Sequence, residues 1–230
     1  MRALITGASG EIGGAVARHL AKHGYDLIVH YNSVFPEELL SSLRIYGIDI
    51  DPFRADLSKS EETERLAGFA LEKGTDILIN NAGISIVDVF QNVGKEDAER
   101  LLAVNTAAPI RLTQLLLPPM LRKGDGAIVN VSSIWGVRGA SCEVHYSASK
   151  AALIGFSKAL SKELENTGVT VNCIAPGFVD TKMNSHLSDE ERDEFLGETP
   201  LGRAITPSEI AETVLSLIRG SESGKTVIME

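Results

Sequence analysis

Short apolar, β-rich runs alternate with longer helical patterns along almost the whole chain, and this alternation restricts the fold more than any other feature. The runs are Ala3-Leu4-Ile5, Leu27-Ile28-Val29, Ile50 to Phe53, Ile77-Leu78-Ile79, Ala127 to Val131, Val169 to Ile174 and Thr226-Val227-Ile228. Between them, 12–22, 36–46, 61–72, 95–123 (interrupted near Asn105), 144–165 and 207–219 carry apolar residues at helical spacing. Pro36 and Pro207 stand where a first-turn proline is tolerated. Strands that are apolar throughout need cover on both faces. The pattern therefore predicts an α/β fold: a three-layer, doubly wound parallel sheet of about seven strands with helices on both faces. No low-complexity linker or sharp repeat divides residues 1–230, so one domain is expected. Residues 180–203 lack a clear pattern and are long enough to form a lid over a site.

Charge narrows the partners. The formal net charge is −9, which argues against a nucleic-acid partner and against an anionic membrane surface. No apolar run approaches the ~20 residues that span a bilayer. The opening Met1-Arg2-Ala3-Leu4-Ile5-Thr6-Gly7 is too short an apolar stretch for a signal peptide, so a cytoplasmic location is expected. Cys142 and Cys173 are the only cysteines, and their spacing suggests neither a disulfide framework nor a metal site.

The first strand runs into Thr6-Gly7-Ala8-Ser9-Gly10-Glu11-Ile12-Gly13-Gly14 and then a helix. Small residues there let the backbone approach a pyrophosphate, whose charge suits the helix N-terminus. With this turn the chain resembles the short-chain dehydrogenase/reductase family and its Rossmann-type fold. It departs from the family's T-G-x-x-x-G-x-G in that Glu11 stands at the second glycine and Gly10 precedes it. Gly10 is expected to allow the close approach, with the Glu11 side chain turned to solvent.

The resemblance extends along the chain from Leu4 to Ile228 and assigns a dinucleotide site residue by residue. It implies contacts from Gly7, Ser9, Gly10, Glu11 and Ile12. After the second strand, His30-Tyr31-Asn32-Ser33 lacks the acidic residue typical of NAD binding, so NADP(H) is the expected cofactor, with NAD(H) left open. Asn32 and Ser33 could bond a 2′-phosphate. Asp56 and Leu57 match the family's adenine-binding position, although Asp56 or Ser58 could equally cap the next helix. Asn81, Ala82 and Gly83 match its N-N-A-G motif. Pro176, Gly177, Val179 and Thr181 match the segment that contacts the nicotinamide amide.

Tyr146 and Lys150 lie four residues apart, on one face of what reads as the most amphipathic helix of the chain. A nearby ammonium should lower the pKa of the phenol. Together with Ser133 and Asn105 they match the family's catalytic set. In that set the serine holds the substrate oxygen, the tyrosine transfers the proton, and the lysine holds the nicotinamide ribose and stabilises the phenolate. The asparagine joins a water relay.

Among relatives the chain looks most like 3-oxoacyl-acyl-carrier-protein reductases, on 128–152 and Thr199-Pro200-Leu201-Gly202-Arg203. A small carbonyl or acyl thioester is the implied substrate. An acyl carrier protein is a poorer match, because the basic docking positions fall at Gly124-Asp125 and Asn166-Thr167, with Arg122 and Lys123 as substitutes. A sugar, steroid or quinone reductase, or an idle dinucleotide sensor, remains the alternative. A homotetramer or homodimer is implied, pairing through the helices that begin near Ala107 and Val144.

Overall fold

A computed structural model of the chain describes residues 1–179, 181, 190, 196–197 and 201–230. Its first half runs β1 (Arg2–Ile5), α1 (Glu11–Lys22), β2 (Asp26–Tyr31), α2 (Glu37–Leu43), β3 (Ile50–Arg54), α3 (Ser60–Lys73), β4 (Ile77–Asn80) and α4 (Lys95–Leu102). It continues α5 (Ala108–Lys123), β5 (Gly126–Val131), α6 (Trp135–Arg138), α7 (Val144–Glu163), β6 (Val169–Pro176), α8 (Pro207–Arg219) and β7 (Thr226–Met229). The seven strands among the described residues are all parallel, in the order β3-β2-β1-β4-β5-β6-β7. Winding reverses between β1 and β4, and in such sheets the crevice at the carboxyl ends of those strands takes the ligand.

Side chains alternate across each strand, which splits the apolar runs between two cores. Ala3, Ile5, Leu27, Val29, Ile77 and Ile79 pack with Val16, Leu20, Leu39 and Val214, under α1, α2 and α8. Leu4, Ile28, Leu78 and Ile128 pack on the other side with Leu66, Leu112 and Leu116, under α3 and α5. This is the three-layer architecture that the alternation demands.

Several elements differ from expectation. The helical pattern of 95–123 is two helices joined by one π turn over Ala103–Ala107 that contains Asn105. The 36–46 pattern ends its α-helix at Leu43 and tightens into a 3₁₀ turn. Helix α6 and a 3₁₀ turn at Phe90–Asn92 have no apolar periodicity to announce them. The helix that carries Tyr146 is not strongly amphipathic: its buried residues are Tyr146, Ser149, Lys150, Leu153, Ser157 and Ser161. Hydrogen bonds replace grease on that face. Asn80 Nδ2 donates to Asn130 Oδ1 (2.8 Å), Asn130 Nδ2 to Ser157 Oγ (2.8 Å), and Ser157 Oγ to the Leu153 carbonyl (2.7 Å).

At the rim opposite the crevice an ionic cluster ties the amino ends of the strands together. Arg2 reaches Asp51 at 2.9 Å and Asp49 at 3.2 Å. Its backbone N–H donates to Asp76, which also receives Lys123 at 2.6 Å. No described helix is long and apolar enough to cross a membrane, and no group of three metal-ligating side chains occurs among the described residues. Most of 180–203, read as a possible lid, lies outside the described residues.

Candidate active site

The crevice widens into a cavity of about 800 Å³ whose wall begins at the turn between β1 and α1. Gly7 takes φ 65°, where a side chain is strained, and a Cβ there would come 2.8 Å from Ala82 Cα. At Gly13 a Cβ would meet the Gly7 carbonyl at 2.5 Å, whereas at Gly10 it would meet only that oxygen, at 3.4 Å. Gly13 thus packs the turn against itself, while Gly10 keeps its surface open. Gly7, Ser9, Gly10, Glu11 and Ile12 all line the cavity, and Glu11, the first residue of α1, is exposed.

Across from this turn stand Asp56 and Leu57, beyond β3, and Asn32, beyond β2. Asp56 also forms a local turn: its Oδ1 accepts from the Ser58 hydroxyl at 2.7 Å, a bond that holds its carboxyl below the usual range. Ser33 is exposed and is not part of the cavity wall. The floor is Asn81-Ala82-Gly83. The Thr6 hydroxyl accepts the N–H groups of Asn81 (2.9 Å) and Ala82 (3.0 Å), and Asn81 Nδ2 donates back to the Thr6 carbonyl at 2.9 Å. Pro176, Gly177, Val179 and Thr181 close the far side. That segment is fixed by Ile134 N–H donating to the Pro176 carbonyl (2.8 Å) and by a bridge between Val179 and Ile205.

Ser133, Tyr146 and Lys150 meet on the wall between these regions, all three buried. Ser133 follows β5 and Tyr146 opens α7. Gly136 lets α6 lie on the Lys150 backbone, since a Cβ there would be 2.7 Å from the Lys150 carbonyl carbon. The Ser133 hydroxyl hydrogen-bonds the Tyr146 phenol. Lys150 Nζ donates to the Val131 carbonyl at 2.9 Å and lies 5.6 Å from the centre of the Tyr146 ring.

The expected lowering of the phenol pKa does not occur. Burial pushes Tyr146 up to about 12, the Ser133 bond pulls it down and the Glu143 carboxylate adds a smaller upward push. The reason is that the ammonium is engaged with a carbonyl rather than with the phenol oxygen. Burial also pulls Lys150 down to about 8.

Asn105 stands one layer behind the wall, fully buried. Its Oδ1 accepts from Ile84 N–H (2.9 Å), and its Nδ2 donates to the Ile84 carbonyl (2.9 Å) and to Ser149 Oγ (3.1 Å). A Cβ on Gly83 would sit 3.2 Å from Lys150 Nζ and 3.5 Å from Asn105 Oδ1, so both groups flank the same glycine.

Sequence reasoning assigned no role to several residues of the wall, among them His30, Ser85, Arg100 and Glu143. Ser85 donates to the Glu143 carboxylate, and Asp88 N–H donates to the Cys142 carbonyl at 2.9 Å. Phe90 stacks on His145 with centroids 5.1 Å apart. The loop after β4 is thereby fastened to the start of α7. Arg138 pairs with Glu230. Neither Glu143 nor His30 carries a local signal, because their partners lie 58 and 25 residues away in the chain.

Comparison with known proteins agrees with this geometry. The model of the family described as short chain dehydrogenase matches residues 1–192. The chain is 40% identical over 219 residues to the uncharacterized oxidoreductase YmfI of Bacillus subtilis, covering 94% of this chain and 90% of that protein. It is 37% identical over 225 residues to the 3-oxoacyl-[acyl-carrier-protein] reductase FabG of Chlamydia muridarum, covering 96% and 91%. Among solved structures, a 3-oxoacyl (acyl-carrier-protein) reductase of Agrobacterium tumefaciens with NADP bound superposes with a TM-score of 0.92. It is 28% identical, with 99% of this chain and 92% of that one covered. Glycine turn, buried serine, tyrosine and lysine, and matched relatives lead to one statement: this chain belongs to the short-chain dehydrogenase family of oxidoreductases.

Proposed function

We propose that the chain is an NADP(H)-dependent reductase that converts a carbonyl to a secondary alcohol, on a substrate of the 3-oxoacyl thioester type. One observation carries this: a buried hydroxyl, phenol and ammonium share a wall of the cavity that also holds the glycine turn.

The residues fit a dinucleotide. An open glycine at the N-cap of a 12-residue helix suits a pyrophosphate. Asp56 and Leu57 would take the adenine; Asn81, Ala82 and Gly83 would lie under the cofactor; Pro176, Gly177, Val179 and Thr181 would meet the nicotinamide. No acidic residue follows β2 in 31–34. Arg54, whose Nε donates to the Asn32 carbonyl at 2.9 Å, brings a guanidinium to the same corner. Both features favour a 2′-phosphate there, with Asn32 and Ser33 beside it.

When bound, the nicotinamide supplies the hydride. The chain's part is positioning and proton transfer. Ser133 and Tyr146 hold the carbonyl oxygen through their hydroxyl hydrogens. Because burial keeps the phenol protonated at neutral pH, Tyr146 is ready as a general acid, and its proton passes to the far more basic alkoxide oxygen. Lys150, its ammonium 5.6 Å from the centre of the phenol ring, would hold the nicotinamide ribose and favour the phenolate left behind. Asn105, across Gly83 from the ammonium, braces the end of the relay that returns a proton from water.

Tyr146→Phe is expected to lower the turnover of an acetoacetyl thioester about 10²- to 10⁴-fold, as loss of a general acid does, while NADPH still binds. Unchanged turnover would remove Tyr146 from the mechanism.

A second substrate reading rests on Glu143. Held by Ser85 inside the cavity, its carboxylate suits a hydroxyl-bearing ketone such as a sugar, and a carbonyl panel separates the two. A carrier-protein partner is the weaker part of the proposal, because Lys123 is already paired with Asp76 and Asp125. Exposed Leu102, Ile110 and Val144 on α4, α5 and α7 fit pairing of copies into a dimer or tetramer.

A further inference from the structure

His30 is the penultimate residue of β2 and only 2% exposed, yet it reaches the wall of the cavity. Gly7 N–H donates to its Nδ1 at 3.0 Å, and its Nε2 lies 2.9 Å from the Ala55 carbonyl. An amide N–H can only donate and a carbonyl can only accept, so Nδ1 must be bare and Nε2 must carry the proton. The imidazole is therefore neutral and in one tautomer. On its other side the Gly7 peptide is held by its carbonyl, which accepts from Gly10 N–H at 3.1 Å and from Asn81 Nδ2 at 3.2 Å. The ring thus spans the crevice between the glycine turn and the stretch that leads into Asp56 and Leu57.

We infer that His30 is a positioning residue for the adenosine diphosphate half of the dinucleotide, a neutral clip that sets the glycine turn against the Ala55-Asp56-Leu57 wall. This rests on the reading that the cavity takes a dinucleotide. Protonation would put a second N–H at Nδ1, facing the Gly7 N–H across 3.0 Å; the bond is lost and two donors oppose each other. Burial lowers the pKa of the ring, with the Ala55 carbonyl opposing. At the crevice ends of the surrounding elements the charged groups are Glu11 at the start of α1, Arg54 at the end of β3 and Asp56. Arg54 donates to the Asn32 carbonyl and Asp56 is bound to Ser58; none of the three shifts the ring.

The test is calorimetric titration of NADP⁺ and of 2′,5′-ADP into wild type, His30→Leu and His30→Asn, with the melting temperature of each free protein measured in parallel. His30→Leu leaves the Gly7 N–H and the Ala55 carbonyl without their partner, which weakens both ligands about tenfold or more. His30→Asn, whose amide can accept and donate, recovers most of that loss. The KM for NADPH rises in step, while kcat at saturating cofactor stays within about twofold of wild type if the clip acts on binding alone. Should His30→Leu not fold, His30→Val, which likewise carries no donor or acceptor, replaces it.

The inference is overturned if the leucine variant binds within about twofold of wild type, or if leucine and asparagine variants weaken equally. Failure of wild type to bind either ligand overturns the dinucleotide reading and the clip together. Binding that is indifferent to the ring overturns the clip alone.

Discussion

Burial governs the two groups that move protons. Lys150 is charged at neutral pH and loses its proton as pH rises through about 8, while Tyr146 keeps its own to about 12. Reduction needs both forms: a phenol to give a proton and an ammonium to stabilise what remains. Turnover is therefore expected to fall above about pH 8, approaching tenfold per pH unit, and to level off below it. The pH profile of NADPH oxidation at saturating substrate checks this, and a rate that climbs through pH 9 contradicts it. The pairing of Tyr146 with Lys150 could be read in the sequence, because four residues of helix place them on one face. Their protonation could not, because it depends on a carbonyl from β5 and on how deeply the wall is buried. Glu143 and His30 were hidden for a similar reason, since contacts across 58 and 25 residues leave no local pattern.

At the level of elements, the glycine turn separates two roles that its sequence merges. Gly13→Ala drives a Cβ into the Gly7 carbonyl at 2.5 Å, Asn81 Nδ2 at 2.7 Å and Ala8 Cα at 2.8 Å. It should destabilise the fold by about 1 to 3 kcal/mol, the cost of overpacking, and weaken cofactor binding as well. Gly10→Ala meets only one atom, at 3.4 Å, and should leave the melting temperature nearly unchanged while raising the NADPH Kd several-fold. Thermal melts with cofactor titrations on both variants decide it; equal losses of stability would refute the division. The strands were legible because residues apolar on both faces leave little choice but a covered parallel sheet. The π turn at Asn105 was legible only as an interruption, since its geometry follows from bonds to Ile84 and Ser149 that lie outside the helix.

Across the whole molecule, chemistry and stability occupy opposite rims of the sheet. The crevice lies at the carboxyl ends of the strands, and Arg2 gathers Asp49 and Asp51 at the amino ends while its backbone holds Asp76. Arg2→Met keeps most of the stem but leaves these carboxylates without that cation. It should cost about 1 to 3 kcal/mol at low salt and less as salt screens the cluster, with kcat unaffected. Denaturant melts at two ionic strengths, alongside turnover, test this. The doubly wound order followed from the alternation of elements, but this cluster did not, because scattered aspartates converge only once the sheet is assembled.

Helix α7 presents serines, a tyrosine and a lysine to the interior where most buried helices present leucine. Grease tolerates small rotations, because its contacts are many and interchangeable. A row of hydroxyls matched to Asn105, Asn130 and the helix's own carbonyls tolerates none without breaking several bonds together. The azimuth of the phenol is thereby quantised, and substitutions that make this face more oily should blur the aim of the proton donor before they loosen the chain.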